Sequence, residues 1–229
     1  MPLRIGGLQK TSLLDFPGKI ACIVFTPKCN FRCGYCHNPE LFTTKEPVIT
    51  VPAFFDFLKT RQGKLDGVVI TGGEPTLQDG LCDFISDIKK LGFLVKLDTN
   101  GSNPDILAEL LEKQFLDYVA MDIKAPLEKY SKITNVNVDI SRISKSIELL
   151  KNSAIDYEFR TTVIKSQLNM EDFDSIGKLI QGAPRYYLQK FVASKILDES
   201  LMSETTYSNE EFEQICTKLK NYVEFVSYR

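Results

Sequence analysis

Cys29-Asn30-Phe31-Arg32-Cys33-Gly34-Tyr35-Cys36 places three cysteines within eight residues, separated by three residues and then by two. Thiolates are soft ligands that favour iron–sulfur clusters or zinc. Three of them on one tight loop can hold three corners of a four-iron cluster, leaving the fourth iron open to a small molecule. A closed structural zinc site wants four ligands, usually two cysteine pairs or a cysteine–histidine mix. The only histidine, His37, adjoins Cys36, an awkward geometry for a fourth ligand, and no second cysteine pair follows. Spacing alone favours iron–sulfur and keeps zinc as its competitor.

Upstream, Ile20 to Thr26 is short, apolar and rich in branched residues, which predicts a buried strand feeding the cysteine loop. Before it, Asp15-Phe16-Pro17-Gly18 is a turn signal. Downstream the chain alternates. Thr50 caps a helix predicted through Arg61, with Pro52 in its first turn. Gly67 to Thr71 reads as a strand ending in Gly72-Gly73-Glu74-Pro75, and Leu81 to Leu91 as an amphipathic helix stopped by Gly92. Phe93 to Leu97 is a third strand, followed by Asp98-Thr99-Asn100-Gly101 and a helix over 104–113. Tyr118 to Met121 is a fourth strand, followed by Asp122-Ile123-Lys124. Helices over 140–150 and 170–180 flank a fifth strand within 155–164 that bears Arg160. Tyr186 to Val192 is a sixth strand, the polar segment 198–209 a loop, and 208–226 a closing helix.

Strand–helix alternation of this kind argues for an α/β fold: a parallel sheet with helices outside it. Each polar motif follows a strand, at the sheet edge where α/β folds carry their sites. The preferred architecture is an open, partial TIM-like barrel of six βα units; periodicity alone does not separate it from a doubly wound sheet. At 229 residues, 43% of them hydrophobic, the chain suits one domain. A formal net charge of -2 argues against a nucleic-acid partner. The first residues lack the apolar core of a signal peptide, and no apolar run could span a bilayer, so a soluble cytoplasmic protein with no membrane partner is expected. Cys22, Cys82 and Cys216, scattered in apolar surroundings, read as ordinary core cysteines.

The C-x-x-x-C-x-x-C spacing with an aromatic residue before the last cysteine resembles the radical S-adenosylmethionine (SAM) enzymes. The stretch from Ile5 to Gly18 and Cys36-His37-Asn38-Pro39 resemble, within them, the activating proteins of anaerobic ribonucleoside-triphosphate reductase, relatives of pyruvate formate-lyase activating enzyme. The resemblance implies one radical SAM domain over 1–229, with an extension (1–19), six βα units (20–192) and a C-terminal loop and helix (193–229). It implies Cys29, Cys33 and Cys36 as ligands of one [4Fe-4S] cluster, and SAM as the second cofactor. It assigns the Gly73–Glu74 turn to the SAM amino group, with a carboxylate suited to an ammonium-like donor. Asp98, Thr99, Met121 and Asp122 would surround a monovalent cation, with Asn100 beside them at the site. Lys124 would face the SAM carboxylate or ribose, Arg160 would lie near SAM, and Tyr35 and His37 would flank the adenine. Leu188-Gln189-Lys190-Phe191 resembles a segment near the nucleoside, without a firm role for any residue.

Read on their own, G-G-E-P, D-T-N-G and M-D-I-K could each be strand-end turns, and Arg160 could be a surface residue on an edge strand. Many relatives have Gly before the first cysteine where this chain has Pro27-Lys28. The expected activity is generation of a glycyl radical on anaerobic ribonucleotide reductase, with flavodoxin or ferredoxin as electron donor. Competing readings are activation of another glycyl-radical enzyme, a small-molecule radical SAM enzyme, and, outside enzymes, a zinc-stabilised binding module or an electron carrier.

Overall fold

The computed structural model describes residues 3–43 and 46–229; the first two residues of the N-terminal extension lie outside it. Eight strands form one sheet: β1 (Gly7–Ser12), β2 (Ala21–Thr26), β3 (Gly67–Gly72), β4 (Leu94–Thr99), β5 (Tyr118–Asp122), β6 (Asp156–Val163), β7 (Arg185–Lys190) and β8 (Phe225–Tyr228). Among the described residues seven α-helices accompany them: α1 (Val51–Lys59), α2 (Leu81–Lys90), α3 (Pro104–Glu112), α4 (Tyr130–Thr134), α5 (Ile140–Lys151), α6 (Met170–Leu179) and α7 (Asn209–Leu219). Strand order in the sheet is the order in the sequence. β1 pairs antiparallel with β2, and every later pair is parallel.

That order answers what periodicity left open. Parallel crossovers are right-handed, so strands that always advance in one direction put all their helices on one face. A doubly wound sheet reverses its strand order partway and covers both faces. Here the uncovered face becomes the lumen of a partial barrel, and β1 and β8 remain its two edges. The main apolar core lies between sheet and helices, around Val68, Ile70, Phe84, Phe159 and Ile176. A small second core of Phe16, Ala21, Ile23, Val69 and Tyr118 fills the lumen floor.

Local chemistry agrees with these boundaries. Thr50 caps α1 by accepting from the Ala53 N–H at 3.3 Å. Asn169–Asp172 and Ser208–Glu211 form capping boxes at α6 and α7. In the β1–β2 turn the Ser12 hydroxyl donates to the Asp15 carboxylate and Gly18 adopts φ 68.

Several expectations change. The six strands expected over 20–192 are β2 to β7, and the extension adds a further strand, β1, antiparallel to them. The closing helix ends at Leu219, and Phe225–Tyr228 is β8 beside β7. The segment 198–209 is not featureless: Glu199–Ser203 makes a 3-10 turn, capped by Asp198 through the Ser200 N–H. Arg160 lies on an interior strand, paired on both sides, which excludes the edge-strand reading. Cys22 and Cys216 are buried as expected, and Cys82 is partly buried against the main core.

Candidate active site at the barrel mouth

All the parallel strands end at one rim, so the loops after β2, β3, β4 and β5 meet there. One cavity collects Cys29, Cys33, Tyr35 and Cys36 from the first loop, and Gly73 and Glu74 from the second. Asp98 and Asn100 line it from the third, and Asp122, Lys124 and Arg160 from the far wall. His37 stands apart. It is exposed, with Nδ1 3.3 Å from the Ser194 hydroxyl and its ring stacked on Phe191 at 6.3 Å. Lys190 turns to Asn209 and the Tyr228 ring, outside the cavity.

The cysteine loop is held from two sides. Arg32 donates its backbone N–H to the Thr134 carbonyl at 2.8 Å, and Asn135 Nδ2 donates to the Arg32 carbonyl at 3.0 Å. From the C-terminal strap, the Asp198 N–H reaches the Gly34 carbonyl at 2.9 Å. A Cβ on Gly34 would meet Leu201 Cδ1 at 2.9 Å and Asp198 Cβ at 3.1 Å, so the strap packs closely on this glycine and would have to give way to a larger residue. Lys195 pairs with Glu40 at 2.8 Å on the same flank. Lys28, just before the first cysteine, sits at φ 67, the left-handed conformation glycine adopts freely. The departure at Pro27-Lys28 therefore leaves that backbone conformation in place.

Gly72-Gly73 explains itself by packing. Gly72 has φ 113, and a Cβ on Gly73 would collide with the Lys28 carbonyl oxygen. The two glycines thus admit the close approach of the cysteine loop's own backbone. Gly73 N–H donates to the Thr26 carbonyl at 2.8 Å, and Glu74 N–H to the Lys28 carbonyl at 2.8 Å. Glu74 is fully buried. Its Oε1 accepts from the Thr76 N–H (3.1 Å), the Thr76 hydroxyl (2.6 Å) and the Thr99 hydroxyl (2.8 Å). Its Oε2 accepts from the Asn100 N–H at 2.6 Å. A carboxylate offers about four lone-pair sites. Glu74 therefore ties the turn after β3 to the end of β4, and Oε2 alone keeps room for a further donor. Burial raises its pKa despite the donors around it.

The far wall is an alternating charge ladder on three neighbouring strands. Lys96 pairs with Asp98, and Arg160 reaches Asp98 at 3.2 Å and Asp122 at 2.9 Å. Lys124 closes the ladder on Asp122 at 3.0 Å. Burial opposes charge on Asp122, but Arg160 and Lys124 outweigh it and hold the carboxyl down at about 2. For Asp98 too, Arg160 and Lys96 overcome burial and lower it. Lys96 was not foreseen; it is buried and shares the inward parity of Asp98 on β4, which is the signal that could have found it.

Of the four residues expected around a monovalent cation, Asp98, Thr99 and Asp122 line the cavity. Asp98 and Asp122 face the lumen and are already answered by three basic groups. Thr99 turns its hydroxyl to Glu74, and Met121 packs under Gly101 on the other face. Neighbours along a strand alternate sides, which puts Met121 there.

The cavity's chemistry fits an iron–sulfur cluster with an adjoining polar ligand. Its donors are three soft thiols on one wall. Among the described residues no group of three or more Cys, His, Asp or Glu side chains is drawn together on a metal position. Burial pushes the Cys29 thiol up to about 12 and raises that of Cys33. Such thiols ionise when a metal replaces the proton. The Tyr35 hydroxyl is buried beside the Cys33 sulfur. The Tyr35 ring lies 5.9 Å from the Lys124 ammonium.

Residues 23–180 match the profile of the radical SAM superfamily. A Methanocaldococcus jannaschii protein named as a glycyl-radical enzyme activating enzyme is 32% identical over 237 residues, spanning 100% of this chain and 97% of that protein. Streptococcus suis SuiB bound to S-adenosylmethionine superposes with a TM-score of 0.68 at 13% identity, over 90% of this chain and 51% of SuiB. This chain thus spans about half of SuiB. A domain of pyruvate-formate lyase-activating enzyme from Bacteroides vulgatus gives 0.56 at 17% identity, over 71% of this chain and 98% of that domain. At such identities the two structures speak for the fold. No helix among the described residues is long and apolar enough to cross a membrane.

Proposed function

The chain belongs to the radical SAM superfamily, and from that premise we propose that it activates a glycyl-radical enzyme, the anaerobic ribonucleoside-triphosphate reductase. Enzymes of this superfamily use a [4Fe-4S] cluster and SAM. The observation that carries the reading is the shared cavity of three thiols, the Gly73–Glu74 turn, Asn100, Lys124 and Arg160. The similarity to an activating enzyme across the whole chain supports the choice of reaction.

In this reading Cys29, Cys33 and Cys36 would hold the cluster in the cavity they share with the turn after β3. The bound pair supplies a one-electron reductive cleavage of the sulfonium, with the electron drawn from flavodoxin or ferredoxin. The chain's own residues bind and orient. Glu74 Oε2 accepts from the SAM amino group at its remaining lone pair. Lys124, held protonated because the Asp122 carboxylate at 3.0 Å outweighs its burial, answers the SAM carboxylate. Tyr35 lines the same cavity, and Arg160 fixes the acidic wall behind it. The buried floor of Phe16, Val69 and Tyr118 keeps bulk water from below. The hydrogen removed from a glycine Cα leaves with the nucleoside as 5′-deoxyadenosine.

The test is anaerobic reconstitution with iron and sulfide, reduction in the presence of SAM, and assay of 5′-deoxyadenosine. Adding the reductase should give a glycyl doublet by electron paramagnetic resonance. SAM cleavage without that doublet would redirect the reading to another partner or a small-molecule substrate. A metal centre of zinc would overturn it.

A further inference from the structure

Asn100 directly follows β4 with its side chain turned back over the cysteine loop. Its Nδ2 lies 3.8 Å from Cys29 Sγ and 2.9 Å from Asn30 Oδ1. Its Oδ1 accepts the Ser102 N–H at 2.9 Å, while its own N–H is spent on Glu74. These contacts fix the amide's orientation: Oδ1 must face an N–H, so the end aimed at the sulfur is the donor. A second donor, the Phe31 N–H, lies 3.4 Å from the same sulfur. Asn100 is buried at 5% exposure, so water does not compete strongly for Nδ2.

Two donors on one sulfur make little sense for a thiol, which is a weak acceptor. They suit a thiolate, where the bonds are charge-assisted. Donors to cluster sulfurs favour the more negative, reduced state and so move a cluster's reduction potential upward.

We propose that Asn100 is a positioning residue for the cluster: Nδ2 donates to the Cys29 sulfur and raises the potential at which the cluster accepts its electron. This rests on the reading of Cys29 as an iron ligand and is independent of which partner is activated. It also reassigns the Asn100 side chain, expected on the SAM side, to the cysteine loop.

The full chain is reconstituted anaerobically with iron and sulfide, and its midpoint is read by electron paramagnetic resonance during a redox titration without SAM. Asn100→Leu keeps the shape and removes the donor. At a fixed poise near the wild-type midpoint its reduced-to-oxidised ratio should fall about tenfold, the equivalent of about 59 mV for one electron. Should the leucine variant fail to assemble a cluster, Asn100→Ser is read in its place. Asn30→Ala removes the other acceptor of Nδ2 without touching Cys29, and should keep the wild-type midpoint. An unchanged midpoint in the Asn100 variant overturns the proposal, as does an equal shift in Asn30→Ala, which marks a mere loop support. A cluster that persists unaltered in Cys29→Ala, or no cluster in the wild type, overturns the ligand reading itself and is told apart by cluster content.

Discussion

Arg160 on β6 places its Nε 2.9 Å from the Asp122 carboxylate on the neighbouring strand. Its Nη1 reaches past that strand to Asp98 at 3.2 Å. One guanidinium thus bridges two largely buried anions. Leaving a buried charge wholly uncompensated costs about 3–5 kcal/mol. Arg160→Met leaves Asp98 to Lys96 and Asp122 to Lys124, so its loss in urea unfolding should fall below that range.

The same bridge sets an acid limit. Asp122 is held at about 2, below the ordinary value of about 3.9. A depressed carboxyl contributes stability that is full above its unfolded value and drains as pH falls towards its folded one. Wild-type stability should decline between about pH 4 and 2. Arg160→Met should show a flatter decline there, because its Asp122 binds protons at higher pH. Identical acid profiles for the two proteins would contradict this.

Glu74 receives four donors. Glu74→Gln replaces one acceptor oxygen with an NH2 group that must oppose a donor. A buried unsatisfied pair costs about 1–3 kcal/mol, and urea unfolding should show a loss in that range. A variant as stable as wild type would mean that the turn after β3 is not tied to β4 through this carboxylate.

Lys28 occupies a left-handed conformation that costs a residue with a Cβ roughly 1–2 kcal/mol. Glycine removes that cost but gains unfolded-state entropy worth about 0.4–1 kcal/mol. Lys28→Gly should come out more stable by several tenths of a kcal/mol to about 1 kcal/mol. Lys28→Val should be less stable than wild type, both read as shifts in the urea midpoint.

Gly34 and Leu201 form a testable couple. Gly34→Ala pushes a methyl against Leu201 Cδ1 and Asp198 Cβ. Overpacking of this kind typically costs about 1–3 kcal/mol. Adding Leu201→Ala should recover part of the loss, and a double-mutant cycle measures the coupling. Strict additivity would mean that the strap does not bear on the cysteine loop.

Much of this was legible in the residues, and the gaps have physical causes. The cysteine spacing and the motifs after each strand locate the rim, because parallel strands deliver their C-terminal ends to one side. The role of a motif was harder to read. The two glycines of G-G-E-P signal a close approach without saying that the neighbour is Lys28. Lys96 escaped notice because a lysine between two apolar residues looks solvent-bound until its strand is known to face a lumen. β8 was read as helix because Phe212, Ile215, Cys216, Leu219, Val223 and Val226 keep helical spacing through the turn, and no Gly or Pro marks the break. His37 adjoins a cysteine in the chain yet turns away from the cavity, a direction that local sequence does not encode.

The cysteine loop leaves the ribosome early, but its supports do not. Thr134 and Asn135 follow it by about 100 residues and Asp198 by about 160, on the order of ten seconds of synthesis at the usual elongation rate. During that interval three thiols have no scaffold to shape them. On the proposed reading, metal loading waits for completion of the last quarter of the chain, and a nascent or C-terminally clipped product would present bare thiols to oxidants.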